Sequence, residues 1–228
     1  MAWTGLLQNP FDELFRHLRY GDRPLSAKLL RAAAKHLWYR SEKRVYVYPV
    51  EAIARLPHPV TMQRDRLEDL RFCERTATAQ LPPAAYRREA RRRLDLGEHL
   101  YTLVENDTLL HYAWMVPFTR AETDQAIGQV FYPAPESANL YDHFTHPLGR
   151  RRGLFFQAMC QILHDVRALT TAQQAYIYVY ADNDRSRRVI EKAGFRYIGS
   201  MVRECRLGAT SRFPLTAGGE FRTALLSR

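Results

Sequence analysis

The chain has 228 residues and a formal net charge of +10, and 46% of its residues are hydrophobic and 25% charged. This size and balance exclude an intrinsically disordered chain and fit a single α/β unit that carries an extension. The positive charge favours contact with a polyanion such as nucleic acid, anionic lipid, an acidic carrier protein or a phosphorylated cofactor, without choosing among them.

The hydropathy pattern and the cysteines bear on the compartment. No apolar run approaches the ~18 residues that a membrane span needs, and the first residues lack the basic and long apolar regions of a signal peptide. The three cysteines, Cys73, Cys160 and Cys205, are widely spaced and form no CxxC pair. We therefore expect a cytoplasmic protein with reduced, structural thiols.

The first elements along the chain are helical. Residues 24–39 repeat apolar side chains at helical spacing, and Pro24 suits the first turn of that helix. We predict an N-terminal helical extension over residues 1–42 and a second domain over residues 43–228. The extension is basic, so it packs on its own domain, which is the commoner arrangement, or contacts a partner or a membrane surface.

The middle of the chain changes to short strands and helices. The runs RVYVYP and VTMQR are β-like, and helices are predicted for Leu67–Glu74 and from Pro83 to about Leu96. Residues 99–117 predict a β-hairpin, because two apolar runs flank the turn residues 105–107. A proline-containing loop follows.

The last third alternates strands with helices. The predicted order is strand 138–146, helix 151–168, strand 175–181, helix 185–193 and strand 195–202. This alternation is typical of a mixed or parallel α/β sheet.

A strand–turn–helix segment, THPLGRRRGLFFQAM, holds a candidate anion site. Its turn contains Arg150, Arg151, Arg152 and Gly153, and an apolar helix follows. The open N–H groups and dipole of a helix's first turn favour phosphate, Gly153 permits close backbone approach, and arginine adds bidentate donors. Taken alone, the segment slightly favours a solvent-exposed turn whose arginines are merely hydrated over an anion site. GxGxxG and GxxxxGK[ST] are absent, which excludes the dinucleotide-binding and P-loop classes.

This turn resembles motif A of the GNAT superfamily of N-acetyltransferases. In that motif an Arg or Gln and then xxGxG/A precede the helix that holds the coenzyme A pyrophosphate. Arg150, Gly153 and Leu154 occupy matching positions. Phe155 replaces the last small residue, which changes the surface beside the pyrophosphate.

Thirty residues later, ADNDRSRRVIEKAGF is similar to motif B of the same superfamily. Asn183 and Ser186 match the motif, and at a helix start they either hydrogen-bond the pantetheine amides or cap the helix. Many members place a Tyr where this chain has Ile190, so the donor of a proton to the CoA thiolate is open among water, Tyr178 and Tyr180. The blocks RRRGLF and SRRVIEKAGF also look like bacterial members found with exopolysaccharide or cell-envelope genes.

The resemblance implies an α/β fold with a twisted mixed sheet, flanked by helices, whose central parallel strands splay apart to admit acyl-CoA. It implies transfer of an acetyl group from acetyl-CoA to an amine of a small molecule or amino sugar by direct attack. The oligomeric state is open, with a homodimer as one possibility. One alternative is long-chain transfer from acyl-CoA or an acyl carrier protein. Another is a non-catalytic acyl-CoA-binding module.

Nucleic-acid binding rests on charge alone and ranks last. The sequence has neither GxSxG nor a cluster at metal-ligand spacing, so we expect no hydrolase elbow and no metal site.

The strand before motif A supplies the candidate catalytic residues. The resemblance implies that the backbone near Phe144 and Thr145 meets the thioester carbonyl. Strand alternation places Asn139, Tyr141, His143 and Thr145 on one face and Leu140, Asp142 and Phe144 on the other.

His143 is the first candidate for the general base, because an imidazole near its normal pKa suits that task, although a lone strand His is more often structural. Tyr141 lies on the same predicted face. Asp142 competes if the strand is bulged, and Glu136 in the preceding loop is a third candidate.

Overall fold

The computed structural model describes residues 38–57, 62–73, 82–217 and 221–226. The strands in this part are β1 Trp38–Pro49, β2 Gln63–Arg64, β3 His99–Glu105, β4 Thr108–Val116, β5 Glu122–Asp124, β6 Gln129–Tyr132, β7 Ser137–Thr145, β8 Gln174–Tyr180, β9 Arg196–Arg206, β10 Ala209–Thr216 and β11 Arg222–Leu225. The α-helices are α1 Pro83–Asp95, α2 Leu154–Leu169 and α3 Asp184–Lys192, and shorter 3₁₀ helices span Val50–Arg55, Leu67–Phe72 and Pro147–Gly149.

Most strands form one large mixed sheet, with the order β10-β9-β1-β8-β7-β4-β3-β2. One face of it packs on α2, α3 and the 3₁₀ helix Val50–Arg55. Helix α2 buries Ala158, Met159, Ile162, Leu163 and Val166 at helical spacing against this face. Each of its larger apolar side chains contributes about 1.5–3 kcal/mol by burial, which holds the N-terminus of α2 over the sheet.

The opposite face of the large sheet is covered by two units. Helix α1 and the 3₁₀ helix Leu67–Phe72 bury Tyr86 and Ala90 against Tyr112 and Trp114. Farther along, a small sheet of order β11-β6-β5 packs Phe131 against strand β8. The large sheet is therefore the middle layer of three.

The two central parallel strands part halfway along their length. Strands β7 and β8 pair in parallel from Ser137 opposite Gln174 to Leu140 opposite Ile177. Beyond these pairs β7 continues to Thr145 and β8 to Tyr180 without pairing to each other. This confirms the predicted mixed sheet with splayed central strands.

The start of the sheet differs from the sequence prediction. Strand β1 begins at Trp38, where it pairs with Arg206, so the helix predicted to reach Tyr39 is wrong at its last residues. The rest of the predicted helical extension, residues 1–37, lies outside the described residues. The division into 1–42 and 43–228 stays a prediction, although residues 38–42 belong to the sheet.

The stretch predicted as a loop after the β3–β4 hairpin contains the short strands β5 and β6. Cys73, Cys160 and Cys205 are buried, and no disulfide joins them in the described part of the chain. In the part of the chain that is described, no helix is long and apolar enough to cross a membrane.

Candidate active site

The turn between β7 and α2 leaves the N-terminus of α2 open. Gly149 is fixed against the sheet, since a Cβ there would lie 3.0 Å from the Leu110 carbonyl oxygen. Arg151 and Gly153 then adopt left-handed backbone angles, with φ of 65° and 73°. No side chain caps α2, and its first turn has no acidic residue. Its first N–H groups are therefore available to an anion.

The three arginines of this turn are not equivalent. Arg152 forms two hydrogen bonds to the Glu105 carboxylate, at 2.7 and 2.8 Å, which hold it on the β3–β4 hairpin. The side chains of Arg150 and Arg151 are exposed and contact no other described side chain through a hydrogen bond or ion pair. Arg150 and Arg151 are thus the two that remain free for a phosphate group.

Strand β7 is bulged, and the predicted alternation of its side chains is wrong. Between the pairs Tyr112–Phe144 and Trp114–Tyr141, strand β4 contributes one residue and β7 contributes two, Asp142 and His143. Asp142 is left-handed, with a φ of 50°. One extra residue in a strand shifts every following side chain to the other face.

The bulge divides the predicted site between the two faces of the sheet. His143 lies on the α2 face, where its ring centroid is 4.9 Å from that of Phe155, and Thr145 lies there too, bonded to His111. Tyr141 and Phe144 lie on the α1 face, against Trp114 and Tyr112. His143 and Tyr141 therefore do not share a face.

The environment of His143 keeps its imidazole neutral. Both ring nitrogens are shielded from solvent and have no hydrogen-bond partner among the described residues. Burial, with a smaller effect from His111, holds the pKa of His143 well below its usual value. Burial also lowers the pKa of His111 to about 3, and Nε2 of His111 is likewise unpartnered within the described part. A general-base role for His143 stays a prediction.

Asp142 and Tyr141 take part in a network on the α1 face. Asp142 accepts hydrogen bonds from Arg93 at 2.7 Å and from Tyr86 at 3.3 Å. Tyr141 donates to the carboxylate of Glu98, and burial raises its pKa. Both side chains are therefore committed to partners within the protein.

Two further candidates can be placed. Glu136 is exposed at the start of β7, at the end opposite the point where β7 and β8 part. Asn183 accepts a hydrogen bond from the Ser186 backbone N–H at 3.2 Å and so caps α3, while Ile190 is buried in the core. The capping interpretation of Asn183 is confirmed, and a contact of Asn183 and Ser186 with pantetheine stays a prediction.

Sequence reasoning missed one titratable side chain of the site region. Glu122 lies in the three-residue strand β5, and burial raises its pKa. Nothing in the sequence pointed to it, because β5 was part of a predicted loop with no periodic pattern.

In the described residues, no group of three or more His, Cys, Asp or Glu side chains could hold a metal ion.

Comparison with known proteins identifies the family. The model of the acetyltransferase (GNAT) domain matches residues 59–196, which is more than half of the chain. The protein therefore belongs to the GNAT acetyltransferases, a family of acyl-CoA-dependent transferases. Comparison with curated proteins gives no significant match.

Two solved structures share the fold at low sequence identity. A protein from Novosphingobium aromaticivorans assigned to the GNAT family superposes with a TM-score of 0.50 at 18% identity, over 79% of this chain and 66% of its own. A GNAT-family acetyltransferase from Colwellia psychrerythraea gives a TM-score of 0.52 at 16% identity, over 83% and 62%. This chain spans less than two thirds of those proteins, and the resemblance to exopolysaccharide-associated members stays a prediction.

Proposed function

We propose that the protein transfers an acetyl group from acetyl-CoA to the amine of a small molecule or amino sugar. The observation that carries this proposal is the open N-terminus of α2 beside two parallel strands that part. The first feature suits a diphosphate, and the second offers a gap in the sheet for the thioester. An acyl-CoA-dependent transferase needs the two features side by side, because one acyl-CoA molecule must place its diphosphate at the helix N-terminus and its thioester in the gap.

The residues of the turn fit the diphosphate of coenzyme A. The first N–H groups of α2 have no side-chain cap, and Arg150 and Arg151 have no side-chain partner in the described part. A Cβ at Gly153 would meet only the Gln157 amide nitrogen, at 3.7 Å, so there is room above the turn. Acetyl-CoA, when bound, supplies an activated thioester carbonyl that an amine can attack with loss of the thiolate.

The open edge of β7 supplies donors for the carbonyl oxygen. Beyond Leu140, none of the described strands pairs with β7 on the β8 side, and the bulge removes one more residue from the ladder with β4. Backbone N–H groups near Thr145 can therefore donate to developing negative charge, a role that needs no particular side chain. On the α2 face, the unpartnered ring nitrogens of His111 and His143 are buried polar atoms that a bound ligand or water would satisfy.

Tyr178 is the better candidate of the two tyrosines for the thiolate proton. Its hydroxyl is buried and unpartnered among the described residues, and burial raises its pKa, so it keeps its proton at neutral pH. The hydroxyl of Tyr180 instead donates to Asp124, and the residue is 41% exposed. Tyr178 also follows directly on the last residue that pairs β8 with β7.

The experiment combines calorimetry with a thiol-release assay. We expect acetyl-CoA to bind and free thiol to appear only when an amine such as glucosamine is added. Tight binding without amine-dependent thiol release would indicate a binding module instead. Faster release from long-chain acyl-CoA than from acetyl-CoA would assign the protein to longer acyl groups.

A further inference from the structure

A polar cluster lies where β7 and β8 part, on the face of the sheet opposite α2. Tyr178 follows the last paired residue of β8, and its ring packs edge-on against Phe131 at 5.8 Å. Phe131 pairs with Glu122 in the small sheet, and directly paired residues share a face. Glu122 therefore points at the same region as Tyr178.

Lys43 links the two side chains in space. Its ammonium nitrogen lies 3.8 Å from an oxygen of Glu122 and 5.5 Å from the ring centroid of Tyr178. The same nitrogen lies closer to Asp124, at 3.1 Å, so Lys43 is shared and is held mainly by Asp124. Within the described part of the chain, Glu122 is left with one long ion-pair contact.

Glu122 and Tyr178 both have hydrogen-bonding capacity that the described part of the protein does not use. Glu122 accepts no hydrogen bond from any described residue, and the Tyr178 hydroxyl is buried without a partner. Unpaired buried polar groups are rare because each costs free energy. The buried hydroxyl of Tyr178 and the weakly paired carboxylate of Glu122, both beside Lys43, point to a ligand with N–H donors. The Glu122 side chain is 20% exposed, so the site can be reached from solvent.

The neighbouring acids differ from Glu122 because they already have close partners. Glu98 pairs with Arg120 at 2.5 Å and also accepts from Tyr141. Asp124 accepts from the Ile127 backbone N–H at 2.9 Å in addition to pairing with Lys43. Of these three acids, only Glu122 has no close partner among the described residues, so its carboxylate can receive another cation.

We propose that Glu122 binds the acceptor as an ammonium ion and takes one of its protons, and that Tyr178 hydrogen-bonds the same nitrogen. This inference rests on the proposed function. It puts the acceptor's amino group on the face opposite α2. The gap between β7 and β8 joins the two faces, so the amine meets the thioester there.

The proton balance of the step is simple. The ammonium gives one proton to a carboxylate oxygen of Glu122, and the freed lone pair forms the C–N bond to the thioester carbonyl carbon. The C–S bond breaks, the Tyr178 hydroxyl gives its proton to the thiolate, and Tyr178 takes the second proton from the nitrogen in return. Glu122 then returns its proton to water through its exposed edge, so each turnover of an ammonium releases one proton.

The charges around Glu122 predict how its ionisation behaves. Burial is the largest effect and raises its pKa, so the carboxylate is a stronger base than an ordinary glutamate, whose pKa is about 4.3. The groups that face it are Lys43, Arg120, Asp124, Glu98 and Tyr178. The acid limb of kcat/KM for the amine is therefore expected above the ordinary glutamate pKa.

The test uses Glu122→Gln, which keeps the shape and removes the base, with Glu51→Gln as the matched control on an exposed glutamate. Glucosamine and spermidine are the probe amines, at saturating acetyl-CoA. We expect kcat/KM for the amine to fall roughly 10²- to 10⁴-fold in Glu122→Gln and its acid limb to disappear. The Kd for acetyl-CoA and the activity of Glu51→Gln should not change.

Two further variants keep the inference testable. Tyr178→Phe removes only the unpartnered hydroxyl, so the variant should fold and lose roughly 10- to 100-fold in kcat/KM for the amine, as expected for a hydrogen bond to a charged group. His143→Leu tests the competing base. It should keep the acid limb if Glu122 is the base.

Each other outcome decides between the inference and the proposed function. Wild-type kcat/KM and pH profile in a folded Glu122→Gln protein would overturn the inference, as would an equal loss in Glu51→Gln. Binding of acetyl-CoA with no thiol release in response to either amine would overturn the proposed transfer reaction, and the inference with it. Failure of the wild-type protein to bind acetyl-CoA would instead overturn the proposed function.

Discussion

Placing a negative charge at Gly153 should separate acyl-CoA binding from folding. Gly153 is left-handed, and a Cβ there would meet only Gln157, at 3.7 Å. Asn and Asp tolerate this backbone region better than other residues and have the same shape, so Gly153→Asn is the control for Gly153→Asp. The two variants share any backbone strain and differ only in charge.

The charge should act in opposite directions on stability and on affinity. A carboxylate at the start of α2 stabilises the helix by about 0.3–1 kcal/mol, because it faces the positive end of the helix dipole. At roughly 5 Å from a bound phosphate, and with an effective dielectric between about 20 and 80, it costs about 1–3 kcal/mol per phosphate charge. We therefore expect Gly153→Asp to bind acetyl-CoA roughly 5- to 200-fold more weakly than Gly153→Asn.

Calorimetry at two salt concentrations and thermal unfolding measure both effects. The affinity gap between the variants should narrow in high salt, since exposed charges are screened, while the Asp variant unfolds no earlier than the Asn variant. Equal affinities for acetyl-CoA, or a gap insensitive to salt, would refute the assignment of this turn as the diphosphate site.

Arg151→Ala should weaken acetyl-CoA binding, measured by calorimetry, about 3- to 10-fold. Arg152→Ala loses only its ion pair with the β3–β4 hairpin and should not weaken binding. Equal losses of affinity in the two variants would contradict the different roles of these arginines. His143→Leu should reduce the loss of unfolding free energy at acid pH. Below about pH 6.5 the imidazole takes up a proton in the unfolded chain but not in the folded one, so this residue lowers wild-type stability by up to ~1.4 kcal/mol per pH unit. An unchanged dependence of the unfolding free energy on pH, measured by urea titration, would contradict this. In the wild-type protein the Trp114 N–H donates to the Tyr86 hydroxyl at 2.9 Å. Tyr86→Phe leaves that N–H unpaired, which should lower the unfolding free energy by about 1–3 kcal/mol and the Tm by roughly 2–10 °C. An unchanged Tm would mean that water replaces the hydroxyl.

The sequence predicted the elements that have strong local signals. The β3–β4 hairpin, α2 and α3 follow from periodicity and from turn residues such as Asn106 and Asp107, both of which are left-handed. The short strands β5 and β6 have no such signal. They form because Phe131 and its neighbours find an apolar surface on β8, which is a tertiary effect.

The candidate site was predictable at the turn and not along the strand. Residues 150–153 are contiguous, so their arrangement follows from local sequence. The faces of β7 depend on one left-handed residue, Asp142, whose bulge is held by Arg93 from a distant helix. Glu122 was not predictable, because its environment is made by β1, β8 and the small sheet together.

The place of β1 in the sheet has a consequence for how the chain folds. Strand β1 lies between β8 and β9, and its pairs join Lys43 to Tyr180 and Trp38 to Arg206. At a synthesis rate of about 5–20 residues per second, β1 waits on the order of ten seconds for both partners. During that time its apolar run VYVY has two unpaired edges, and such edges invite aggregation. Contacts this distant in sequence also form slowly. We therefore expect the folding yield to depend strongly on chaperones, even though the finished sheet is stable.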